Sequence, residues 1–180
     1  MAKVLVISAS LRGKSNSEIV AQRFVEGALD AGHEVEFVSL KGKQIRFCIG
    51  CLTCQNTGTC VLGDDANAIA EKAKNADTLV FATPVYYYEM SGQLKTLLDR
   101  MNPLYDSDYS FRNVYMLLTA TDDDKATPDR AVNGLKGWIE CFPKATFQGY
   151  LFLGGVTNPG EAETKKKELQ KAYDFGKSVR

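Results

Sequence analysis

An excess of charge of either sign is missing from this chain: 22 Lys and Arg balance 22 Asp and Glu over 180 residues, leaving a formal net charge of zero. The strong basic field that binds nucleic acid or an anionic membrane surface is therefore absent. Only one histidine is present, His33, at a turn before a strand-like segment and far in sequence from the polar loops. No Ser-His-Asp or Cys-His set can be assembled without it, so hydrolytic chemistry has no support, and His33 is read as a surface residue. No apolar run approaches bilayer-spanning length, and Met1-Ala2-Lys3 leads directly into a strand-like segment without a signal-type hydrophobic region. The expectation is a cytoplasmic protein with neither nucleic acid nor membrane as a partner. Internal repeats and low-complexity segments are lacking too.

The chain is 44% hydrophobic, enough for one well-buried core and too short for two ordinary domains, so residues 1–180 are expected to form one domain. Strand-like runs alternate with helix-like ones from end to end. Strands are expected at Lys3–Ile7, His33–Leu40, Thr78–Ala82, Val114–Thr119 and Ala145–Leu153. Helices are expected after Ser17, after Asp64-Asp65, over Ser91–Met101, Pro128–Phe142 and Glu161–Lys177. Strict alternation of five strands and five helices is the pattern of an α/β domain, a doubly wound parallel sheet whose ligands sit at the carboxyl ends of the strands.

Three loops at such ends carry chemistry. The first, Ala9-Ser10-Leu11-Arg12-Gly13-Lys14-Ser15-Asn16-Ser17, joins an apolar strand to a helix. Backbone N–H groups at the helix start, the hydroxyls of Ser10, Ser15 and Ser17, the Asn16 amide and the Arg12 fork are together suited to phosphate. Capping of the helix would account for one serine and not for the whole polar run. The second loop, Thr83 to Gln93, holds Tyr86, Tyr87 and Tyr88 in succession. Aromatic packing would explain at least one of them, but a strand cannot bury three consecutive side chains on one face. Downstream, Asp99 and Arg100 are read as a structural pair on the helix. In the third, Thr119-Ala120-Thr121 closes the fourth strand, and the acidic run Asp122–Asp124 is read as solvated.

Four of the five cysteines, Cys48, Cys51, Cys54 and Cys60, form a C-x-x-C-x-x-C-x5-C run. In a reducing compartment such crowding favours metal, cluster or redox chemistry over a disulfide framework, and four thiolates this close can enclose one small metallic unit. Zinc suits the spacing less, because its ligands usually come as two separated pairs. Cys141, beside Phe142, is read as a buried small hydrophobe.

On these motifs the chain resembles the NAD(P)H-dependent FMN reductase family of the flavodoxin-like superfamily, with its related iron-sulfur flavoproteins, from Lys3 through the last helix. In the family the first loop reads roughly Gly-Ser-Pro-Arg-x-x-Ser-Asn-Thr and holds the FMN phosphate. Here Ala9 replaces the usual Gly and Leu11 the usual Pro, while Ser10, Arg12, Ser15, Asn16 and Ser17 keep the phosphate donors. The resemblance implies that Pro84, Val85, Tyr86, Tyr87 and Tyr88 run along the flavin ring and that Thr119 lies at its pyrimidine side. It further implies a five-stranded sheet in the order 2-1-3-4-5 with helices on both faces, and assembly as a homodimer or homotetramer.

The function so implied is an FMN-dependent NAD(P)H oxidoreductase that reduces a small acceptor, a quinone, nitro or azo aromatic, flavin or metal ion, by ping-pong hydride transfer. Flavin N5 carries the chemistry and no side chain is assigned as catalytic. The cysteine run resembles that of the iron-sulfur flavoproteins, which implies an alternative: an electron carrier with a [4Fe-4S] cluster on Cys48, Cys51, Cys54 and Cys60, serving a redox protein. Cluster-free reductases share this spacing, so a cluster, free or redox-active thiols, and zinc all stay open.

Overall fold

A computed structural model describes all residues, 1–180. Its elements are β1 (Lys3–Ser8), α1 (Asn16–Asp30), β2 (Glu34–Ser39), α2 (Thr53–Thr57), α3 (Asp65–Asn75), β3 (Thr78–Tyr86), β4 (Glu89–Met90), α4 (Gly92–Arg100), β5 (Asn113–Thr119), α5 (Asp129–Ile139), β6 (Thr146–Leu153) and α6 (Lys166–Lys177). Five strands pair in parallel in the order β2-β1-β3-β5-β6, and the short β4 adds to the end of β3 as an antiparallel partner. Counting only the parallel strands, this is the expected 2-1-3-4-5 order of a flavodoxin-like sheet.

The central strands are apolar at nearly every position because both of their faces are covered. On β1, Leu5 and Ile7 point into one core with Phe81, Met116, Leu97 and Leu135, while Val4 and Val6 point into the other with Val80, Leu117, Phe24 and Ala172. Thus α3, α4 and α5 cover one face, and α1 and α6 the other. The first core contains an aromatic stack in which Tyr109 lies on Phe111 at 4.3 Å between ring centres, with Trp138 and Phe142 beside them. The second packs Phe24 against Tyr115 and Phe175.

Three departures from the expected elements have local causes. β3 runs on through Pro84 to Tyr86 because the missing N–H of Pro84 falls on the β1 side, where β1 has ended opposite Ala82, while β5 still pairs on the other side. The cysteine loop contains a helical turn, α2, entered through Leu52 in the left-handed region. The last helix starts at Lys166 rather than Glu161, since a separate 3-10 turn, Glu161–Thr164, precedes it. Two side-chain readings are corrected as well. Cys141 is exposed and donates weakly to the Gly137 carbonyl at 3.7 Å. His33 is half-buried, its Nδ1 accepting from the Ala2 N–H at 3.2 Å.

α1 and α6 meet almost backbone to backbone through two glycines. A methyl at Gly27 would fall 1.9 Å from the Tyr173 carbonyl oxygen, and one at Gly176 would fall 2.0 Å from that of Phe24. Gly27→Ala should therefore lower the unfolding free energy by about 1–3 kcal/mol through overpacking, despite a gain of up to about 1 kcal/mol in helix propensity. Urea unfolding monitored by far-UV circular dichroism measures the balance.

Candidate functional site

Four loops converge at the carboxyl end of the sheet. The first is 9–17, after β1. The Ala9 N–H reaches the Ala82 carbonyl at 2.8 Å, which extends β1 past its last pair and aims the chain across the top of β3. Ser15 is the N-cap of α1, its hydroxyl accepting from the Glu18 N–H at 3.4 Å and lying 3.0 Å from the Ser17 hydroxyl. Lys14 stands at φ 50, in the left-handed region that a side chain occupies at a cost. Ser15 after it is extended, at φ −64 and ψ 132, so the chain turns sharply just before the helix begins. No protein acceptor takes the N–H groups of residues 13 to 17. Ser10, Ser15 and Ser17 are buried around them. Unpartnered donors of this kind at a helix N-terminus make an anion seat.

Asn16 and Arg12 behave differently from the simple expectation of two phosphate donors. The Asn16 amide donates to the Asn158 carbonyl at 2.9 Å, and its oxygen accepts from the Ala162 N–H at 3.0 Å. Its side chain is a tie to another loop, and what it offers an anion is its backbone N–H. Arg12 is exposed, with one nitrogen on the Thr157 carbonyl at 2.6 Å and the rest of its fork free.

The loop those contacts reach, 154–162 after β6, is the part of the site that sequence reasoning missed. The Gly160 N–H donates to the Lys14 carbonyl at 2.8 Å, and the Thr157 hydroxyl lies 3.1 Å from that of Thr121. The Glu161 carboxylate accepts the N–H groups of Asn158 and Thr157 at 2.8 Å each, and these contacts hold it below its ordinary range. The signal was present: Gly154-Gly155 and Asn158-Pro159-Gly160 follow directly on the last strand, at its carboxyl end.

The segment expected as a tyrosine loop is a β-hairpin. Val85 pairs with Met90 and Tyr86 with Glu89, leaving Tyr87 and Tyr88 as the two turn residues at φ 50 and 66. Two consecutive left-handed residues define a type I′ turn, a position for Asn-Gly. None of the three tyrosines packs in the core; Tyr87 is 98% exposed, and only Tyr88 has a partner, Arg130, at 5.7 Å from its ring centre. At the hairpin's base the Thr83 hydroxyl accepts the Ser91 N–H at 3.0 Å and lies 3.2 Å from the Ser91 hydroxyl, which caps α4. Pro84 sits opposite Thr119 in the ladder, so the hairpin and the β5 terminus share one edge of the crevice. A cavity of about 350 Å3 opens beside it, walled by Leu11, Leu40, Ile45 and Phe47 on one side and by Gly92, Gln93 and Thr96 on the other.

The cysteine loop lies next to this cavity. Cys48 and Cys51 are exposed, Cys60 is half-buried and Cys54 is buried. No three metal-ligating side chains gather around one centre. Cys48 Sγ nevertheless accepts from the Gly50 N–H at 3.4 Å, and Cys54 Sγ from the Asn102 amide at 3.1 Å. The Thr53 hydroxyl and N–H hold the Cys51 thiol below its ordinary value.

Arg100 does not pair with Asp99, which binds Lys95 at 2.7 Å instead. It is 1% exposed and forks onto Asp64 at 2.8 and 2.9 Å, with a further bond to the Arg46 carbonyl at 2.7 Å. Burial alone would raise the Asp64 carboxyl, but the guanidinium and the N–H groups of Arg46 and Ala66 outweigh it and bring it down to about 2. Asp64 is also the N-cap of α3, accepting from Ala66.

With the geometry in place, comparison with known proteins is informative. Residues 2–155 match the model of the family described as NADPH-dependent FMN reductase. An iron-sulfur flavoprotein of Methanosarcina thermophila is 28% identical over 90% of this chain and 86% of its own length. One of Methanocaldococcus jannaschii is 39% identical over 57% of this chain, which here spans about half, 53%, of that relative's length. The solved NAD(P)H:quinone oxidoreductase from Methanothermobacter marburgensis shares the fold with a TM-score of 0.74 at 19% identity, over 99% of both chains.

Two outcomes follow from these contacts. Because Asp64 falls from 3.8 to about 2 on folding, the stability it contributes is present above pH of about 4 and lost as pH drops toward 2. Asp64→Asn should lower stability at neutral pH and flatten that acid limb in pH-dependent urea unfolding. Replacing the turn (Tyr87→Asn with Tyr88→Gly) should raise the unfolding free energy by about 1 kcal/mol, the relief of backbone strain exceeding the lost Arg130 contact of about 0.5 kcal/mol.

Proposed function

The chain belongs to the NADPH-dependent FMN reductase family, and from that premise we propose that residues 1–180 form one domain that binds FMN across the four loops and uses NAD(P)H to reduce a small acceptor. The observation that carries this reading is the run of unpartnered N–H groups at residues 13 to 17, with the buried hydroxyls of Ser10, Ser15 and Ser17 around it. A phosphate supplies the acceptor oxygens those donors lack, and the free part of the Arg12 fork adds charge from the solvent side.

FMN held by these loops would supply the redox chemistry between NAD(P)H and the acceptor. The chain's own residues bind and orient. The hairpin from Pro84 to Tyr88 offers backbone groups along one edge of the crevice, opposite Thr119. Fixed N–H dipoles at that edge favour the negative charge a flavin gains on reduction. No side chain in the crevice is needed as acid or base.

The cavity beside Leu11, Phe47 and Gly92 suits a flat apolar acceptor such as a quinone or a nitro or azo aromatic. Exposed Tyr86, Tyr87, Phe47 and Ile49 support assembly as a homodimer or homotetramer. No helix of the chain is long and apolar enough to cross a membrane.

A second reading, an iron-sulfur electron carrier serving a redox protein, is favoured by the close spacing of the four cysteines, of which Cys48 accepts from the Gly50 N–H and Cys54 from the Asn102 amide. The donor chemistry suits four thiolates. The loop as folded does not gather them, since Cys48 and Cys51 face solvent while Cys54 is buried. Iron, sulfide and FMN assays on one anaerobic preparation separate the two: about four irons per chain favours the carrier, and FMN with negligible iron favours the reductase.

The phosphate seat is tested by comparing FMN with riboflavin, which lacks the phosphate. Ser10→Ala and Ser17→Ala should each weaken FMN binding about tenfold, the worth of one hydrogen bond to a charged group, and leave riboflavin affinity unchanged. Fluorescence-quenching titration reads both. Equal losses for the two ligands would move the phosphate away from this loop.

A further inference from the structure

The loop after β2 and the first residues of α4 face each other across the cavity of about 350 Å3, and its walls are of two kinds. On the β2 side the wall is apolar, and much of it is uncovered: Phe47 is 79% and Leu11 48% exposed. Uncovered apolar area in a concave site is surface for a ligand. On the α4 side Gln93 and Thr96 present an amide and a hydroxyl, and Gly92 presents no side chain at all. The positive end of the α4 dipole borders the same space.

Only one residue lining the cavity is charged, Lys43, and none is acidic. The turn that carries Lys43 is closed by its N–H on the Leu40 carbonyl at 3.1 Å, with Gly42 at φ 78, so the cation is tied directly to the apolar wall. Its carboxylate partner, Asp65, lies 3.6 Å away, beyond hydrogen-bond reach, and lines a separate hollow with Arg46 and Asp64. The other Asp65 oxygen is held by the Gln44 N–H at 2.7 Å. An exposed ion pair of that length contributes little, so the ammonium keeps its capacity for a ligand anion.

Gly92 sets the width of the opposite wall. A Cβ there would meet no atom within 4 Å, and Gly92 is not among the residues at positive φ. Glycine is a poor helix residue, and neither backbone conformation nor packing requires it at this position. Its missing side chain leaves room in the cavity.

We propose that this cavity selects a flat aromatic acceptor carrying an anionic substituent, a sulfonated or carboxylated quinone or azo compound, with Lys43 setting the preference for charge and Gly92 the width. The inference rests on the reductase reading above and names the acceptor class within it. The ring lies against Leu11, Ile45 and Phe47, and the anion meets Lys43 and the start of α4. For a quinone, NAD(P)H supplies a hydride and water a proton, giving hydroquinone and oxidised nicotinamide, and the anionic substituent forms and breaks no bond.

The test is calorimetric titration of FMN-loaded protein with naphthalene sulfonate and with naphthol, a neutral ligand on the same ring. Wild type should bind the sulfonate about fivefold more tightly, the upper end for a partly exposed charge contact, and added salt should shrink that advantage. Lys43→Gln should abolish the difference and Lys43→Arg should keep it. Gly92→Val should weaken both ligands about tenfold without lowering the thermal midpoint, which on every sample identifies a variant that has merely unfolded. In NAD(P)H oxidation, the ratio of kcat/KM for naphthoquinone sulfonate over naphthoquinone should fall about fivefold in Lys43→Gln. Equal affinity of wild type for the two ligands, a preference that survives in folded Lys43→Gln, or undiminished binding by Gly92→Val overturns the proposal. Oxidation of NAD(P)H with neither quinone, alongside sulfonate binding that depends on Lys43, would instead remove the reductase reading and leave the anion preference of the cavity standing.

Discussion

The buried ion pair between Arg100 and Asp64 is the contact on which the functional end of the molecule depends. It joins α4 to the cap of α3, and through the Arg46 carbonyl it also fixes the entry to the cysteine loop. Removing two charges from water is expensive, and such a pair repays the cost only with good geometry and its remaining polar atoms satisfied. The geometry here is a two-pronged fork with both oxygens used, while the Arg100 Nε–H stays buried without a partner. The pair's value lies in position: α4 is capped by Ser91, hydrogen-bonded to Thr83 at the base of the hairpin, and ends two residues before Asn102, whose amide donates to Cys54. One short helix of nine residues therefore links the two chemical regions of the chain.

The 9–17 loop works on the opposite principle. Around it, side chains are consumed so that backbone donors can be spared. Asn16 spends its amide on the 154–162 loop, that loop uses the Glu161 carboxylate to satisfy its own N–H groups, and Gly160 ties back to Lys14. What remains open is a set of N–H groups without protein acceptors, fixed in place by the helix start before any anion arrives. Burial of Ser10, Ser15 and Ser17 excludes water and strengthens each of those dipoles. The hairpin carries strain instead, with two tyrosines in backbone conformations suited to Asn and Gly. Strain of this kind at the rim of a crevice persists because Thr83, Ser91 and the pairs of β3 with β4 overdetermine the turn.

Much of this was legible without coordinates. The α/β class followed from the spacing of apolar runs, since a parallel strand buried on both faces must be apolar throughout. The start of α1 followed from the position of Ser15, Asn16 and Ser17 between a buried strand and an amphipathic run, and the family resemblance supplied the strand order. Less legible were partners that lie far apart in sequence. The pairing of Arg100 with Asp64 spans 36 positions, and a rule that looks three or four residues along a helix finds Asp99 instead. The buried reading of Cys141 failed for a similar reason, because hydrophobic neighbours in sequence, such as Phe142, point to the other side of the helix end.

The amino-acid sequence by itself determined the alternation of elements, the chemistry of each loop and the crowding of four sulfurs into one segment. These are local properties, set by periodicity, capping and residue type over a few neighbouring positions. Only the tertiary structure decided that Asn16 faces a loop 142 positions away, that three tyrosines leave the core around a two-residue turn, and that Cys54 is buried while Cys48 and Cys51 stand exposed. The physical reason is that a hydrogen bond or ion pair is worth what its surroundings exclude, and which groups are sheltered from water is settled only when distant segments have packed.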